Sequence, residues 1–123
     1  MSSLTASALA FLSTQRLGRL ATVSPDGQVQ NNPVGFFVDA EAGTIDIGGR
    51  DMAATKKFRN VRAGSTVSLV VDELASVSPW VVRGVEIRGT AEALTGVRPP
   101  MPGMTGEVIR ISPVRIIAWG LPD

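Results

Sequence analysis

The densest chemistry in this sequence is a short basic run. Between Arg50 and Arg62 stand Arg50, Lys56, Lys57, Arg59 and Arg62 against one acid, Asp51, and Lys56 and Lys57 are the only lysines of the chain. The run follows the pair Gly48-Gly49. Backbone N–H groups at a glycine turn and a helix start favour an anion, and an ammonium adds a point charge, so the segment could hold a phosphate. The plain alternative is a solvated helix face, which is what most charge runs are. Arg83 is the second candidate. In the stretch from Trp80 to Leu94, Val81, Val85, Ile87, Ala91 and Ala93 share one phase and Glu86, Arg88, Thr90 and Glu92 the other, and Arg83 falls in the apolar phase. A charge there needs an anionic ligand or a partner such as Asp72 or Glu73, unless Gly84 marks a bulge that turns it to solvent. Trp80, directly after Ser-Val-Ser-Pro, either plugs the end of a barrel or offers a flat apolar wall to a planar ring. Asp46, Glu86 and Glu107 have no paired spacing of the kind that acid–base work requires.

What is missing narrows the chemistry further. The 123 residues contain no Cys, no His and no Tyr. A thiolate nucleophile, a disulfide framework, a cysteine zinc site, a Ser-His-Asp triad and a histidine-held haem are therefore excluded within this chain. Carboxylate chemistry, a lone Ser or Lys nucleophile, or chemistry carried by a bound cofactor remain, and the absences favour the last. With 12 basic and 11 acidic residues the net charge is +1, which argues against a general nucleic-acid binder. An apolar fraction of 44% against 19% charged residues is that of a globular chain and excludes disorder. Below the roughly 150 residues usual for a domain, the expectation is one domain over residues 1–123. The longest uncharged stretch, residues 1–15, is too short and too polar to span a bilayer and lacks the basic start of a secretory signal. A cytoplasmic protein with no membrane partner is expected.

The elements that must position these residues are one helix and then mostly strands. Leu4, Ala8, Phe11 and Leu12 recur at helical spacing after a possible cap at Ser2 or Ser3, and the helix should end near residues 15–18. Residues 18–24 read as a strand, Ser-Pro-Asp-Gly as a turn, and residues 28–38 as the returning strand, edge-like or bulged because of Pro33. Residues 44–48 form a short strand. Residues 51–62 form the second helix, with Asp51 as its cap and Met52, Phe58 and Val61 facing the core. Residues 65–72, Trp80 to Leu94, 107–112 and 114–120 are further strands, with Pro113 as a break and Trp119 in the core. Residues 95–106, with three prolines and three glycines, are a loop. So many closely spaced strands have to close their edges, which predicts a small barrel: a mainly β fold with flanking helices.

The ordered segments FLSTQRLGRLATVSPDGQVQNNPVGF, TIDIGG, TKKFRN, VSLVVDE, PWVVRGVEIRGTAEAL and IRISPVRIIAWGL resemble the pyridoxamine 5′-phosphate oxidase-like superfamily. They are most similar to its actinobacterial branch that uses the deazaflavin coenzyme F-420. The likeness runs from Leu9 to Leu121. It implies a six-stranded split β-barrel of the FMN-binding type, paired as a homodimer with the cofactor in clefts at the subunit interface. Lys57, with Thr55, Lys56 and Asn60 beside it, matches the family's phosphate-holding helix, although other members carry an Arg where Thr55 stands. Backbone around Ile47, Gly48, Gly49 and Arg50 is expected near the ribityl chain and phosphate. Arg19 to Thr22 and the stretch holding Pro33 and Val34 are expected to line the ring, and Trp80 resembles an aromatic residue that reaches it from the partner subunit. Arg83 is retained as a candidate cofactor contact on its own phase argument.

The resemblance implies an oxidoreductase moving a hydride between F-420 and a small organic substrate. An FMN-dependent reductase or oxidase, or a carrier that binds a flavin, deazaflavin or haem-like ligand without turnover, are the alternatives. Oxidation of pyridoxamine phosphate itself is not expected, because the C-terminal Arg and His that recognise that substrate have no counterpart here.

Overall fold

In the computed structural model, which describes residues 3–122, the apolar helical repeat forms α1 (Ala6–Ser13), burying Ala8, Phe11 and Leu12. Its cap is Thr5, whose side-chain oxygen accepts from the Ala8 N–H at 3.2 Å, and not Ser3; Ser2 lies outside the described residues. The helix stops short of the expected 15–18 because the Ser13 and Thr14 hydroxyls bond back to the Ala10 and Phe11 carbonyls, each at 2.7 Å.

Seven antiparallel strands follow: β1 (Leu17–Val23), β2 (Val29–Gly35), β3 (Phe37–Asp39), β4 (Thr44–Ile47), β5 (Val67–Val77), β6 (Trp80–Leu94) and β7 (Val108–Trp119). Their order in the sheet is β2-β1-β5-β6-β7-β4-β3. Strands β2 and β3 sit at opposite ends of that order, yet only Phe36 separates them in the chain. The sheet must therefore curl until its two ends meet. Its concave face holds the core, in which Leu20, Ile45, Ile47, Leu69, Val71, Val85, Ile87, Ile109 and Ile111 are buried together with Phe58.

Where the resemblance implies six strands the structure has seven, and the runs read from the sequence are divided at one place and joined at another for local reasons. The run 28–38 breaks at Phe36, so that 29–35 pairs with β1 while 37–39 pairs with β4. Pro33 lies in β2, an edge strand, where its missing N–H costs no ladder bond. The two expected closing strands are one, because the register steps from Arg88↔Arg115 to Gly89↔Pro113 and the bulge absorbs the proline. Trp119 is half-buried and lies outside the core. Its ring rests on Gly84, where any Cβ would collide with it.

Two further differences bear on function. The helix expected over 51–62 is divided into a 3-10 turn (Met52–Ala54) and α2 (Lys56–Arg62). Thr55 is extended and caps α2, accepting from the Phe58 N–H at 3.2 Å, while Asp51 makes no capping bond. Strand β5 outruns the expected 65–72 and pairs with β6 as far as Val77↔Trp80. Strand β1 reaches only Val70 on one side of this pair, and β7 ends opposite Gly84 on the other. Residues 73–83 therefore form a two-stranded arm whose strands pair only with each other. On it Leu74, Val77 and Trp80 are 49%, 70% and 68% exposed. No helix among the described residues is long and apolar enough to cross a membrane.

Candidate functional site

Strand β1 alternates cleanly, with Leu20 and Thr22 turned inward and Arg19, Ala21 and Val23 outward. On the outward face a shallow groove of about 570 Å³ is lined by Ala21, Val23, Val29, Ser68, Arg88 and Val114, among others. Val29 and Val114 are 63% and 60% exposed there, so the groove is apolar and open.

Inward, Thr22 meets α2. Asn60 donates from Nδ2 to Thr22 Oγ1 at 3.0 Å, and the Thr22 hydroxyl donates on to Gln30 Oε1 at 3.3 Å. Both Thr22 and Asn60 are buried. This pair ties the helix to the strand, and its polar groups are engaged with one another. Lys57 stands one turn before Asn60, at i and i+3 on the same flank. It is half-buried, and that burial pushes its ammonium pKa below the ordinary 10.5. No carboxylate among the described residues reaches it within 4 Å.

Of the other cations of the run, Arg59 and Arg62 are engaged within the chain, while Lys56 and Arg50 are exposed. Lys56 lies near enough to Asp26 to help hold that carboxyl low, an effect owed first to the Ser24 hydroxyl. Arg59 donates to the Ala54 carbonyl at 2.9 Å, closing the 3-10 turn. Arg62 sits 5.6 Å over the Phe58 ring. The Thr55 hydroxyl, besides capping α2, donates to the Met52 carbonyl at 2.7 Å.

The Gly48-Gly49 turn is covered by the 95–106 loop. A Cβ on Gly48 would fall 2.7 Å from Met104 Sδ and 3.1 Å from Pro100. Thr105 latches the loop down: its N–H donates to the Gly49 carbonyl at 2.9 Å, and its Oγ1 accepts from the Met52 N–H at 3.3 Å. Periodicity gives no hint of Thr105, because its loop has none.

The remaining sequence candidates scatter. Arg19 is hydrogen-bonded to Asp72, and Pro33 is its cross-strand neighbour on the exposed side. Val34 and Ile47 are core side chains, so any ligand contact they make falls to their backbone. Trp80 is on the arm. Arg83 pairs at 3.7 Å with Glu73, one of the two partners considered from sequence, and lines a different cleft. The structure thus brings together Thr22, Asn60, Thr55 and Lys57 around α2, but not Trp80 or Arg83. No group of three His, Cys, Asp or Glu suited to a metal occurs among the described residues.

A curled antiparallel sheet, a basic helix tied to its first strand and an open apolar groove define a small β-barrel class. Comparison with known proteins identifies the family. The pyridoxamine 5′-phosphate oxidase family matches residues 4–99, and the chain belongs to that family. A 5a,11a-dehydrotetracycline/5a,11a-dehydrooxytetracycline reductase of Streptomyces rimosus subsp. rimosus is 49% identical over 114 residues, which cover 92% of this chain and 80% of that one. The fold is similar to that of a conserved hypothetical protein of Mycobacterium tuberculosis (TM-score 0.70, 22% identity, 98% of this chain and 88% of that one). An F-420 reductase is also similar in fold, with TM-score 0.61, 23% identity, and coverage of 83% of this chain and 89% of that one.

Proposed function

We propose that the chain is an oxidoreductase that holds coenzyme F-420 and reduces an unsaturated small organic molecule, with FMN as the alternative cofactor. The observation that carries this is Lys57: a half-buried ammonium with no carboxylate among the described residues within 4 Å, on a helix tied to β1 through the Asn60–Thr22 bond. A phosphate would supply the missing counter-charge, and the groove of about 570 Å³ has the apolar walls that a planar ring needs. The residues present therefore fit such a group. When bound, a reduced deazaflavin or flavin supplies the hydride; the chain has to bind it, orient it and keep water away. That division of labour suits a protein with no His, Cys or Tyr. The 49% identical reductase, which acts on a dehydro compound, supports reduction of a C=C bond over oxidation.

A homodimer is part of the same reading. Leu17, Val29 and Val114 are 58%, 63% and 60% exposed on the outward sheet face, and one short chain leaves that face bare. A second copy would cover it and bring its arm, with Trp80, over the groove of the first.

The test is a titration of the purified chain with F-420 and with FMN, followed by reduced F-420 with 5a,11a-dehydrotetracycline as trial acceptor. Tight F-420 binding and oxidation of the reduced cofactor on adding the acceptor are expected. Binding of both ring systems without turnover across a broad set of acceptors would favour a carrier, and binding of neither would refute the proposal.

A further inference from the structure

Four ion pairs occur among the described residues, and one of them is unlike the rest. Arg19–Asp72 is hydrogen-bonded, Arg88–Glu86 closes at 2.8 Å, and Arg110–Asp46 is bidentate at 2.9 Å for both contacts. Arg83 and Glu73 are direct cross-strand partners, yet stand 3.7 Å apart with no hydrogen bond between them. Glu73 is held elsewhere: its Oε1 accepts from Gln15 Nε2 at 3.1 Å, just past the end of α1. Gly120 packs on the stem of Arg83, close enough that a Cβ there would come within 3.2 Å of Arg83 Cγ. The arm root thus presents a strong donor and an acceptor side by side, in a loose ion pair that no hydrogen bond closes. Both open into a cleft of about 780 Å³, walled by Ala10 and Phe11 of α1 and by Leu121 and Pro122. That volume suits a small organic ligand.

The pairing of charges selects the ligand. A simple anion is attracted by Arg83 and repelled by Glu73, and a simple cation meets the reverse. A purely apolar molecule would strip water from both groups and return nothing. A neutral planar edge with an acceptor beside a donor satisfies both: its carbonyl oxygen accepts from the guanidinium while its N–H donates to the carboxylate. A primary carboxamide on an aromatic ring has that edge, and the ring would lie against Phe11 and Leu121. We propose that this cleft is a recognition subsite for the carboxamide edge of a planar aromatic molecule. As a part of substrate recognition it rests on the oxidoreductase reading above, and it holds the substrate by a polar edge remote from the reacting bond.

Salicylamide is the probe, with N,N-dimethylsalicylamide and benzoate as comparators, titrated into the full chain and followed by amide NMR. F-420 and FMN binding are measured on the same preparation. Salicylamide should shift the amides of Phe11, Thr14, Arg83 and Leu121 and leave those of Ala21 and Val114 unmoved. Blocking the N–H donors with methyl groups should weaken binding about 10-fold, and Arg83→Met and Glu73→Leu should each do the same. Arg88→Met, at a closed pair outside this cleft, should not. Shifts centred on Ala21 and Val114, or no shifts, would overturn the subsite, as would benzoate binding as well as salicylamide or indifference to Arg83→Met. A chain that binds F-420 but shows no salicylamide shifts refutes the subsite alone. A chain that binds neither cofactor refutes the oxidoreductase reading, and the subsite is then judged by the NMR result on its own.

Discussion

Asn60 and Lys57 stand one helical turn apart on α2 and meet opposite conditions. Asn60 is buried and its amide is spent on Thr22, so its chemistry is directed at holding the helix to β1. Lys57 is only half-buried, has lost part of its hydration, and has no carboxylate within 4 Å among the described residues. The same contrast separates the two faces of β1: the inward residues Leu20 and Thr22 are buried, while Ala21 and Val23 border an open groove. Structure and function are thus carried by neighbouring residues and divided by direction. A polar residue whose partners lie inside the chain, as those of Asn60 do, serves the fold, whereas the proposed function gives Lys57 a bound phosphate as its partner.

That contrast can be broken most forcefully from the inward side. Phe58 is fully buried at the centre of the core, so Phe58→Ala should cost about 3–5 kcal/mol in chemical denaturation. Asn60→Leu should cost about 1–3 kcal/mol, because it leaves the buried Thr22 hydroxyl with only Gln30. If Asn60→Leu spared stability and abolished cofactor binding, the two residues would have to exchange roles. Thr105→Val removes the side-chain half of the loop latch and keeps the backbone bond to Gly49, so about 1 kcal/mol is expected, with faster proteolysis of the 95–106 loop. Arg110→Gln should cost about 1 kcal/mol or less, since its pair with Asp46 is only partly buried.

The helical repeat of α1, the strand at β1, the alternation along β6, the Ser-Pro-Asp-Gly turn and the Phe58 side of α2 were all legible from local patterns. These features depend on burial, and burial leaves a period in the sequence. The break at Phe36 was not legible, because 28–38 reads as one extended run and only the curling of the sheet sends its two halves to opposite ends. Nor was the passage of β7 through Pro113, which needs a bulge set by the partner strand. At the site, the charge run pointed to α2 but could not separate Lys57 from Lys56, Arg59 and Arg62. That distinction comes from Asp26, the Ala54 carbonyl and the Phe58 ring. Thr22 and Asn60 were picked out for ligand contacts; in the fold they bond to each other.

The acid–base behaviour of Lys57 sharpens the same comparison. Its pKa is lowered in the folded chain, so between that value and the ordinary 10.5 the unfolded chain binds more protons and stability rises with pH. A bound phosphate needs the charged ammonium. Cofactor affinity should therefore be full below the depressed pKa and fall as pH rises through it, while Lys57→Met should flatten the pH profiles of both stability and affinity in that range.

The most direct measurement is the affinity of Lys57→Glu for F-420 and FMN, with riboflavin as the phosphate-free control. A charge-assisted bond to an ionised group contributes about 1.5–3 kcal/mol, so both phosphate-bearing cofactors should bind roughly 10-fold to 100-fold more weakly or worse. Riboflavin affinity should hardly change, and fold stability should stay within about 0.5 kcal/mol of the parent. Unchanged F-420 and FMN affinity, or an equal loss for riboflavin, would contradict the assignment of Lys57 as the phosphate-holding residue.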